Sequence, residues 1–522
     1  MIAPIPWRLA LATALPLAAV LLLSCTGGPS VPDSAADAGR PPNLEPDYAG
    51  VVVPPNLAPL NFAVREPGSH YVVRLSGDRG EPVAVASDDG LMEFPPGPWA
   101  AMLEANRGGP IHVDVFVRGE DGAWTQYRRV TNTVAAEPID RYLVYRLMWS
   151  RFNTCGRLRL IQRDLSSFDE TLVLDNAGFG AGCINCHTFR QNDPADTLIH
   201  TRGGSGGSST ILVRNGRPAR VNTVTGYGLT GYASWHPDGG MIVCAVVQVR
   251  PFVHPAGDIV MDVIDMDATL VCYRTDDDRM DVSPSLSRKD RLETYPCWSP
   301  DGKYLYFSSA RKPWADASAF PPRQYAEVRY DLVRVAYDAA TGTFGEPETV
   351  LASADTGISM TQPRISPDGR WLLFCGSPYG CFPVCHAAAD LYLLDLASGR
   401  WKPVAANSDK ADSWHSWSSN GRWVVFSSKR GNGLYARPYI SYVDPSGTFH
   451  KALLLPQRDP EHYRSFVRTY NVPELIASPV PVEADRLSRL VATPMEAESR
   501  LPMTSASPEV NGGIRYGEGR TP

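Results

Sequence analysis

The sequence predicts a mainly β protein in three parts: a β-sandwich-like N-terminal domain, an irregular segment, and a β-propeller of small radial sheets. Three observations predict it. Glycine and proline are abundant, at 44 and 46 of 522 residues, which favours turns and short strands over long helices. Many short runs alternate between apolar and polar residues, as half-buried strands do. A turn-and-strand pattern recurs four times after residue 230.

The chain begins with the features of an export signal. Arg8 precedes an apolar run, Leu9 to Leu23, that is short for a membrane span. The run ends in Leu-Leu-Ser-Cys at Cys25, which resembles a lipobox, where the cysteine becomes the new N-terminus and carries lipid. We therefore predict a signal peptide at 1–24, a lipid anchor at Cys25, and a place in the bacterial cell envelope, on the periplasmic side or at the outer membrane. A plain secretory signal, with Cys25 removed or free, is the alternative.

Three stretches precede the repeats. Residues 25–47 are rich in Gly, Pro, Ser, Ala and Asp, which predicts a disordered tether. Residues 48–143 contain alternating runs such as HYVVRL and IHVDVFVR, which predict the sandwich-like domain, with one helical piece, GPWAAMLEANRGG. Residues 144–195 show little periodicity and are predicted to wrap around a bound group.

The repeat combines a β-turn with the strand that follows it. Its turn closes on Gly239, Gly302, Gly369 and Gly421, mostly in a Ser/His-Pro-Asp-Gly tetrad. Proline presets φ, aspartate bonds the local backbone and glycine tolerates the exit from the turn. A second strand pair follows each copy, so that one repeat forms a four-stranded sheet. Such a sheet cannot bury both faces alone, which predicts radial stacking over residues 196–457.

These motifs resemble the TolB-like, or PD-type, β-propeller. The resemblance implies about six blades, of which four are clear and a fifth is suggested by ILVRNGRPARVNT at 211–223. The sixth is either degenerate or completed by strands from both ends of the propeller. Residues 458–522 are predicted to be a C-terminal extension, with a short amphipathic helix in VEADRLSRLVAT and disorder after about residue 492.

One short motif carries chemistry. Cys183-Ile184-Asn185-Cys186-His187 is a CxxCH, the pattern by which two thiols bind the vinyl groups of haem c and an imidazole binds its iron. We therefore predict one covalent haem, with His187 as the proximal ligand. A Cys183–Cys186 disulfide and a zinc site are the alternatives, although zinc would need two further ligands.

The sixth iron ligand is left open by the sequence. His200 is the nearest candidate along the chain, and the others are His236, Met241, Met360 and His415. A methionine ligand would raise the reduction potential relative to a second histidine, whereas an empty position would suggest ligand binding or peroxide chemistry.

A second motif, CxxxCH, is formed by Cys381, Cys385 and His386. It allows a local Cys381–Cys385 disulfide, a widened haem motif or two unpaired thiols. The disulfide is the leading expectation, since an exported protein meets an oxidising compartment.

The order of motifs is similar to that of an exported bacterial family that joins an N-terminal domain, a single CxxCH and a TolB-like propeller. YAGVVVPPNLAPLNF at 48–62 and GCINCHTF at 182–189 carry this resemblance. It supports the haem more than it supports a reaction.

The leading hypothesis is an electron-transferring cytochrome with a redox or envelope protein as its partner and a lipid anchor as its link to the membrane. A TolB-like envelope protein-binding lipoprotein with a structural or sensory haem is the alternative, and a peroxidase-type haem enzyme is a third. The net charge of −6 without a long run of one sign argues against nucleic acid as a partner.

Overall fold

The computed structural model describes residues 29–149, 156–221, 230–254, 261–314 and 320–494. It is mainly β, as the sequence predicts, with a propeller of six blades. The signal peptide, Cys25 and the part of the tail beyond 494 lie outside the described residues. Within the described ranges, no helix has the length and apolar character needed to span a bilayer.

The N-terminal domain is built from two sheets. The larger sheet contains the strands Ala36–Asp37, Val52–Val53, His70–Gly77, Val83–Ser87, Pro110–Arg118, Trp124–Gln126 and Val130–Val134. The smaller sheet contains Leu44–Glu45, Phe62–Val64 and Leu91–Met92. The one helix of the domain, Pro96–Ala105, lies in the piece predicted to be helical and buries Trp99 and Leu103.

The predicted tether, 25–47, is partly ordered. Ala36–Asp37 pairs with residues 125–126 of the larger sheet, and Leu44–Glu45 pairs with residues 63–64 of the smaller one. Arg40 also forms an ion pair with Glu66, whose carboxylate is 2% exposed. The amino-acid composition of this stretch did not predict the two strands, because two-residue strands are stabilised by partners that are distant in sequence.

Each blade is a sheet of four or five strands. Blade 1 contains Tyr142–Trp149, Arg159–Asp164, Glu170–Asp175 and Arg468–Ile476. Blade 2 contains Cys183–Arg190, Asp193–Arg202, Ser209–Arg214 and Arg217–Val221. Blade 3 contains Thr230–Trp235, Met241–Val253, Met261–Arg274 and Arg279–Asp281. Blade 4 contains Arg291–Trp298, Tyr304–Arg311, Asp331–Asp338, Thr343–Phe344 and Glu348–Leu351. Blade 5 contains Ser359–Ile365, Trp371–Ser377, Asp390–Asp395 and Trp401–Pro403. Blade 6 contains Asp412–Trp417, Trp423–Ser428, Arg437–Tyr442 and Leu453–Leu454.

Blade 1 closes the propeller with strands from both ends. Its innermost strand, Arg468–Ile476, comes from the C-terminal extension and pairs antiparallel with Tyr142–Trp149. Blade 1 is therefore the blade that the sequence did not show. It is completed by strands from both ends of the propeller, which is one of the two alternatives left open by the sequence. The segment 144–195, predicted to be irregular, instead holds strands of blades 1 and 2. Its periodicity was weak because several of these strands are buried on both faces.

The innermost strands of consecutive blades contact one another all the way round, and Arg468–Ile476 touches both Cys183–Arg190 and Asp412–Trp417. A central channel therefore runs along the axis. The predicted turns lie between the first and second strands of blades 3 to 6. Glycine is required at Gly302, where φ is +72° and a Cβ would lie 2.5 Å from Nε2 of His236.

One end of the channel is covered by a plug, formed by the long hairpin of blade 3 (residues 249–254 and 261–267) and the blade 5 loop (residues 378–389). The hairpin strands, Met241–Val253 and Met261–Arg274, have 13 and 14 residues and extend beyond their own blade. The Tyr379 hydroxyl of the loop donates a 2.8 Å hydrogen bond to Asp262 of the hairpin.

Short helices complete the structure. Ser353–Thr356 and His462–Ser465 are α-helical turns, and Asn176–Phe179, Tyr325–Glu327 and Pro383–Cys385 are 3₁₀ turns. The predicted amphipathic helix of the tail is Ala484–Ala492, which buries Leu487 and Val491 against blades 1 and 2.

Candidate functional site

A ring of six dipeptides surrounds the middle of the channel. In every blade, the pairing between the two innermost strands shifts register at one point. Such a bulge re-aims side chains and is frequent beside functional sites. At or directly beside these points, each blade contributes two residues to the wall of the channel: Cys186–His187, Tyr232–Ala233, Tyr295–Pro296, Gln362–Pro363, Trp414–His415 and Val472–Pro473.

Four of the six ring positions hold a left-handed backbone in a residue other than glycine. The φ angles are +52° at Tyr295, +55° at Gln362, +48° at Trp414 and +47° at Val472. Each such conformation costs of order 1–3 kcal/mol, and such residues cluster at ligand sites. The repetition of this cost around the axis indicates that the ring shapes a site.

The ring encloses a chamber of about 40 Å³, whose wall also includes Arg364 and Glu474. These two side chains form a 2.9 Å ion pair and also border the channel's open mouth, a cavity of about 320 Å³ lined by Trp235, Trp298 and Trp417. Burial raises the pKa of Glu474 to about 6, although Arg364 acts in the opposite direction.

Three aromatic rings stand between the chamber and the plug. Tyr232 and Tyr295 have ring centroids 4.1 Å apart, and Trp414 lies 5.8 Å from Tyr232. The Tyr295 hydroxyl donates a 2.8 Å hydrogen bond to the Cys381 carbonyl of the plug. The chamber is thus closed towards the plug and faces the mouth.

The CxxCH lies in the innermost strand of blade 2, in extended conformation up to the bulge. Cys186 is a free thiol whose accessible surface faces the chamber. Burial raises its pKa, while Arg146 and Arg202 act to lower it. Cys183 is disulfide-bonded, and no described cysteine is its partner because all the others are free. The alternative of a Cys183–Cys186 disulfide is therefore not what the structure contains.

His187 is 2% exposed, and neither of its ring nitrogens makes a hydrogen bond of normal geometry with a described residue, although backbone groups of Val144 and Val472 lie near enough to act on its pKa. It pairs with Ile199, which packs in the cluster between blades 1 and 2. Burial, together with Arg146 and Arg364, lowers the pKa of His187 to about 3. A buried imidazole without a well-formed hydrogen bond is costly, and a bound group that engaged it would remove that cost.

His200 is not placed across from His187. His200 lies two residues after Leu198 in the same strand, so the side chains of His200 and Leu198 lie on the same face of blade 2. That face packs against blade 3. His187 lies on the opposite face, towards blade 1. The two imidazoles therefore have the sheet between them. His200 has no hydrogen-bond partner within the described part of the chain either, and burial lowers its pKa to about 3.

Of the other sixth-ligand candidates, His415 alone lines the chamber with His187. Its Nε2 lies 3.0 Å from the carbonyl of Leu373, while its buried Nδ1 makes no hydrogen bond of normal geometry in the described ranges, although the Gln362 backbone lies near enough to act on the pKa of the ring. His236 instead lies 3.2 Å from the Gly302 carbonyl in the next blade. Met241 and Met360 are core residues, 2% and 0% exposed.

The predicted Cys381–Cys385 disulfide is not formed, because both thiols are free. The 3₁₀ turn at 383–385 separates them: Cys381 Sγ lies 3.7 Å from the Val263 carbonyl, whereas Cys385 interacts electrostatically with Lys429. His386 is held by Asp262, with 3.1 Å between Nε2 and Oδ1. The motif therefore serves as part of the plug.

Two residues that the sequence did not single out act electrostatically on Cys186. Arg146 and Arg202 each have a buried Nε without a hydrogen-bond partner among the described residues. Neither forms an ion pair with a described acidic side chain. No sequence signal marks them, because a lone arginine in a strand is usually a solvated residue.

The residues at the ring fit haem c in part. His187 offers an unpartnered imidazole and Cys186 a free thiol in the same wall. Attachment through Cys183 as well requires its disulfide to be reduced first. The chamber of about 40 Å³ must also widen towards the mouth, since small-molecule sites measure roughly 300–1,000 Å³. In the described ranges, no group of three or more His, Cys, Asp and Glu side chains is arranged to hold a bare metal ion.

Neither a family model nor a curated protein sequence matches the chain. Among solved structures, TolB from Acinetobacter baumannii is similar at 15% identity and a TM-score of 0.41, over 70% of this chain and 79% of TolB. A puromycin hydrolase is similar at 16% identity and a TM-score of 0.35, over 62% and 53% of the two chains. An oligogalacturonate lyase from Vibrio parahaemolyticus is similar at 12% identity and a TM-score of 0.31, over 59% of this chain and 92% of the lyase. At these identities and TM-scores the likeness says nothing about activity. The identification of the propeller rests on the six sheets described above.

Proposed function

We propose that this protein is an exported c-type cytochrome that carries one covalent haem at Cys183, Cys186 and His187. Its signal peptide, a lipid anchor at Cys25 and a redox or envelope protein partner belong to the same proposal. The haem would supply one-electron chemistry when bound. The protein would supply the ligand, the thiols and a buried site on the propeller axis.

The unpartnered imidazole of His187 carries this proposal. No hydrogen bond of normal geometry to a described residue holds the buried ring, and iron ligation would engage one of its nitrogens. The free thiol of Cys186 lies beside it in the chamber wall. Docking of the partner would take place at the open mouth, the cavity of about 320 Å³ bordered by Arg364 and Glu474.

The test is a haem count. The protein is produced with its signal in a host that attaches haem c, and a pyridine haemochrome spectrum is recorded. We expect one haem per chain in the wild type and none in Cys186→Ala, because that variant lacks the thiol next to the iron ligand. Cys272→Ala, which removes a buried free thiol in blade 3, is the matched control and should keep its haem.

A wild type without haem would overturn the proposal. Mass spectrometry of the peptide that contains residues 183–187 separates the two states of Cys183, since a thioether adds the haem mass and a disulfide does not. Two haems per chain would return the CxxxCH at Cys381 and Cys385 to consideration.

His415 is the proposed sixth ligand. If its Nε2–H donates to the Leu373 carbonyl, the buried Nδ1 keeps a free lone pair, the arrangement usual in metal-binding histidines. We expect a low-spin wild type that is indifferent to carbon monoxide, and a His415→Ala variant that binds it readily. His200→Ala, on the far face of blade 2, should behave as the wild type. Ready binding by the wild type itself would contradict this assignment and favour a sensor or an enzyme.

A further inference from the structure

The open mouth of the channel is walled by two consecutive residues from the innermost strand of every blade. The first residues of these pairs are polar or carry a thiol: Thr188, Ser234, Cys297, Arg364, Ser416 and Glu474. The residue that follows each of them is apolar and also borders the cavity. The cavity of about 320 Å³ lies at the lower end of the range for small-molecule sites, roughly 300–1,000 Å³. Its size and its mixed wall therefore suit a small molecule with an apolar body and a polar group.

Serines at these positions connect one blade to the next. The Ser234 hydroxyl accepts a 3.1 Å hydrogen bond from the backbone N–H of Trp298. The Ser416 hydroxyl accepts one of 3.2 Å from the backbone N–H of Leu475. Arg364 cannot play this part, because a guanidinium only donates hydrogen bonds. The contacts between blades therefore do not explain an arginine at this position.

Arg364 has hydrogen-bond donors to spare. Its Nη2 lies 2.9 Å from Oε1 of Glu474, and this is the only partner of its side chain in the described part of the chain. An arginine has five N–H donors, so most of them stay unused. The side chain of Arg364 is 32% exposed, whereas that of Glu474 is 7% exposed. Among the described residues, no other charged side chain borders the mouth, so the charged group that a ligand meets there is the guanidinium.

A turn of blade 2, formed by Gln191 and Asn192 and called the lip here, reaches across the mouth. Both residues have left-handed backbones, with φ angles of +48° and +63°. Asn192 fixes the lip, because its Nδ2 donates to the carbonyls of Trp417 and Leu475, at 2.9 and 2.7 Å. The Gln191 side chain makes one long contact among the described residues, 3.5 Å from its Nε2 to the Pro300 carbonyl. A strained turn with a weakly held amide over a cavity is typical of a ligand site.

We propose that the mouth binds a small molecule that carries one carboxylate on an apolar body, with Arg364 as its anchor. The planar donors of a guanidinium match a carboxylate, and the group keeps its charge in a partly buried site. The nearby Glu474 carboxylate favours a ligand with a single negative charge over a phosphate dianion. The inference goes beyond the proposed function and does not rest on the haem, because none of its residues belongs to the CxxCH.

The test compares acids with their uncharged counterparts. Benzoate, 3-phenylpropionate and hexanoate are titrated by calorimetry into the purified wild-type protein, together with the three corresponding primary amides. We expect at least one acid to bind about tenfold more tightly than its amide, because only the acid forms charge-assisted hydrogen bonds with Arg364. The haem count of each sample is recorded as well, so that absence of haem and absence of acid binding are separate results.

Substitutions then assign the preference to Arg364. Arg364→Gln should bind the acid and the amide equally. The double variant Arg364→Gln/Glu474→Gln should do the same without an unpaired buried carboxylate, which guards against misfolding of the single variant. Arg334→Gln is the matched control and should keep the preference. Arg334 is 36% exposed and also forms a 2.9 Å ion pair, with Glu348, but it lies in blade 4 away from the mouth.

Three results would overturn the inference. In the first, no acid binds, or every acid binds no better than its amide. In the second, the preference survives in both Arg364 variants, so that the anchor lies elsewhere. In the third, Arg364→Gln melts at a lower temperature and keeps the preference, which would make the ion pair with Glu474 purely structural.

Discussion

A chain that ends at Val467 is expected to lose cooperative folding. It lacks Arg468–Ile476, the innermost strand of blade 1, which pairs with seven residues of Tyr142–Trp149. Burial of Val472, Leu475 and Ile476 contributes about 5–9 kcal/mol together. That is comparable with the whole stability of a typical domain, about 5–15 kcal/mol. The partner strand would also expose unpaired backbone groups to the channel. Urea unfolding followed by circular dichroism measures the effect.

A shorter truncation separates the effect of this strand from that of the rest of the tail. A chain that ends at Ser478 keeps the closing strand and lacks the helix Ala484–Ala492, which contributes the buried side chains of Leu487 and Val491. It should unfold in a single transition at a moderately lower urea concentration. If the chain ending at Val467 gives that same transition, the closing strand does not hold the ring together.

The sequence predicted the propeller well because its signals are local. Turns closed by Gly239, Gly302, Gly369 and Gly421 mark blades 3 to 6, each within a few residues of the first strand of its blade. Blade 1 has no such turn, and its strands come from positions more than 300 residues apart, so only tertiary pairing reveals it. The partial order of the predicted tether escaped for the same reason, since its strands pair with distant residues.

The sequence predicted only part of the candidate site. CxxCH marked Cys183, Cys186 and His187, but its composition did not indicate a strand, because the motif contains an asparagine, which is depleted in strands. A further signal was present: Tyr295-Pro296, Gln362-Pro363 and Val472-Pro473 occupy equivalent ring positions. The charged neighbours of Cys186 could not be found in this way, since they come from other strands.

Trp423→Ala is expected to destabilise the N-terminal domain and the propeller together. Trp423 is fully buried in blade 6, within the apolar cluster that also contains Val53 and Leu143. Its indole N–H donates a 3.1 Å hydrogen bond to the Glu137 carbonyl. Truncation should cost about 3–5 kcal/mol through the cavity it leaves. Urea unfolding followed by fluorescence and by circular dichroism measures whether the two units share one transition.

Two variants separate packing from hydrogen bonding in that result. Trp423→Phe keeps most of the apolar volume and loses the N–H donor, so it should cost about 1 kcal/mol, the net value of one hydrogen bond. Trp401→Ala, in the outer strand of blade 5, is the matched control for loss of a tryptophan and should change stability much less. If Trp423→Ala shifts only one of two separate transitions, the shared cluster does not couple the units. A single shifted transition would instead mean that the closed ring and the N-terminal domain unfold as one body, so damage at blade 6 would also reach the channel.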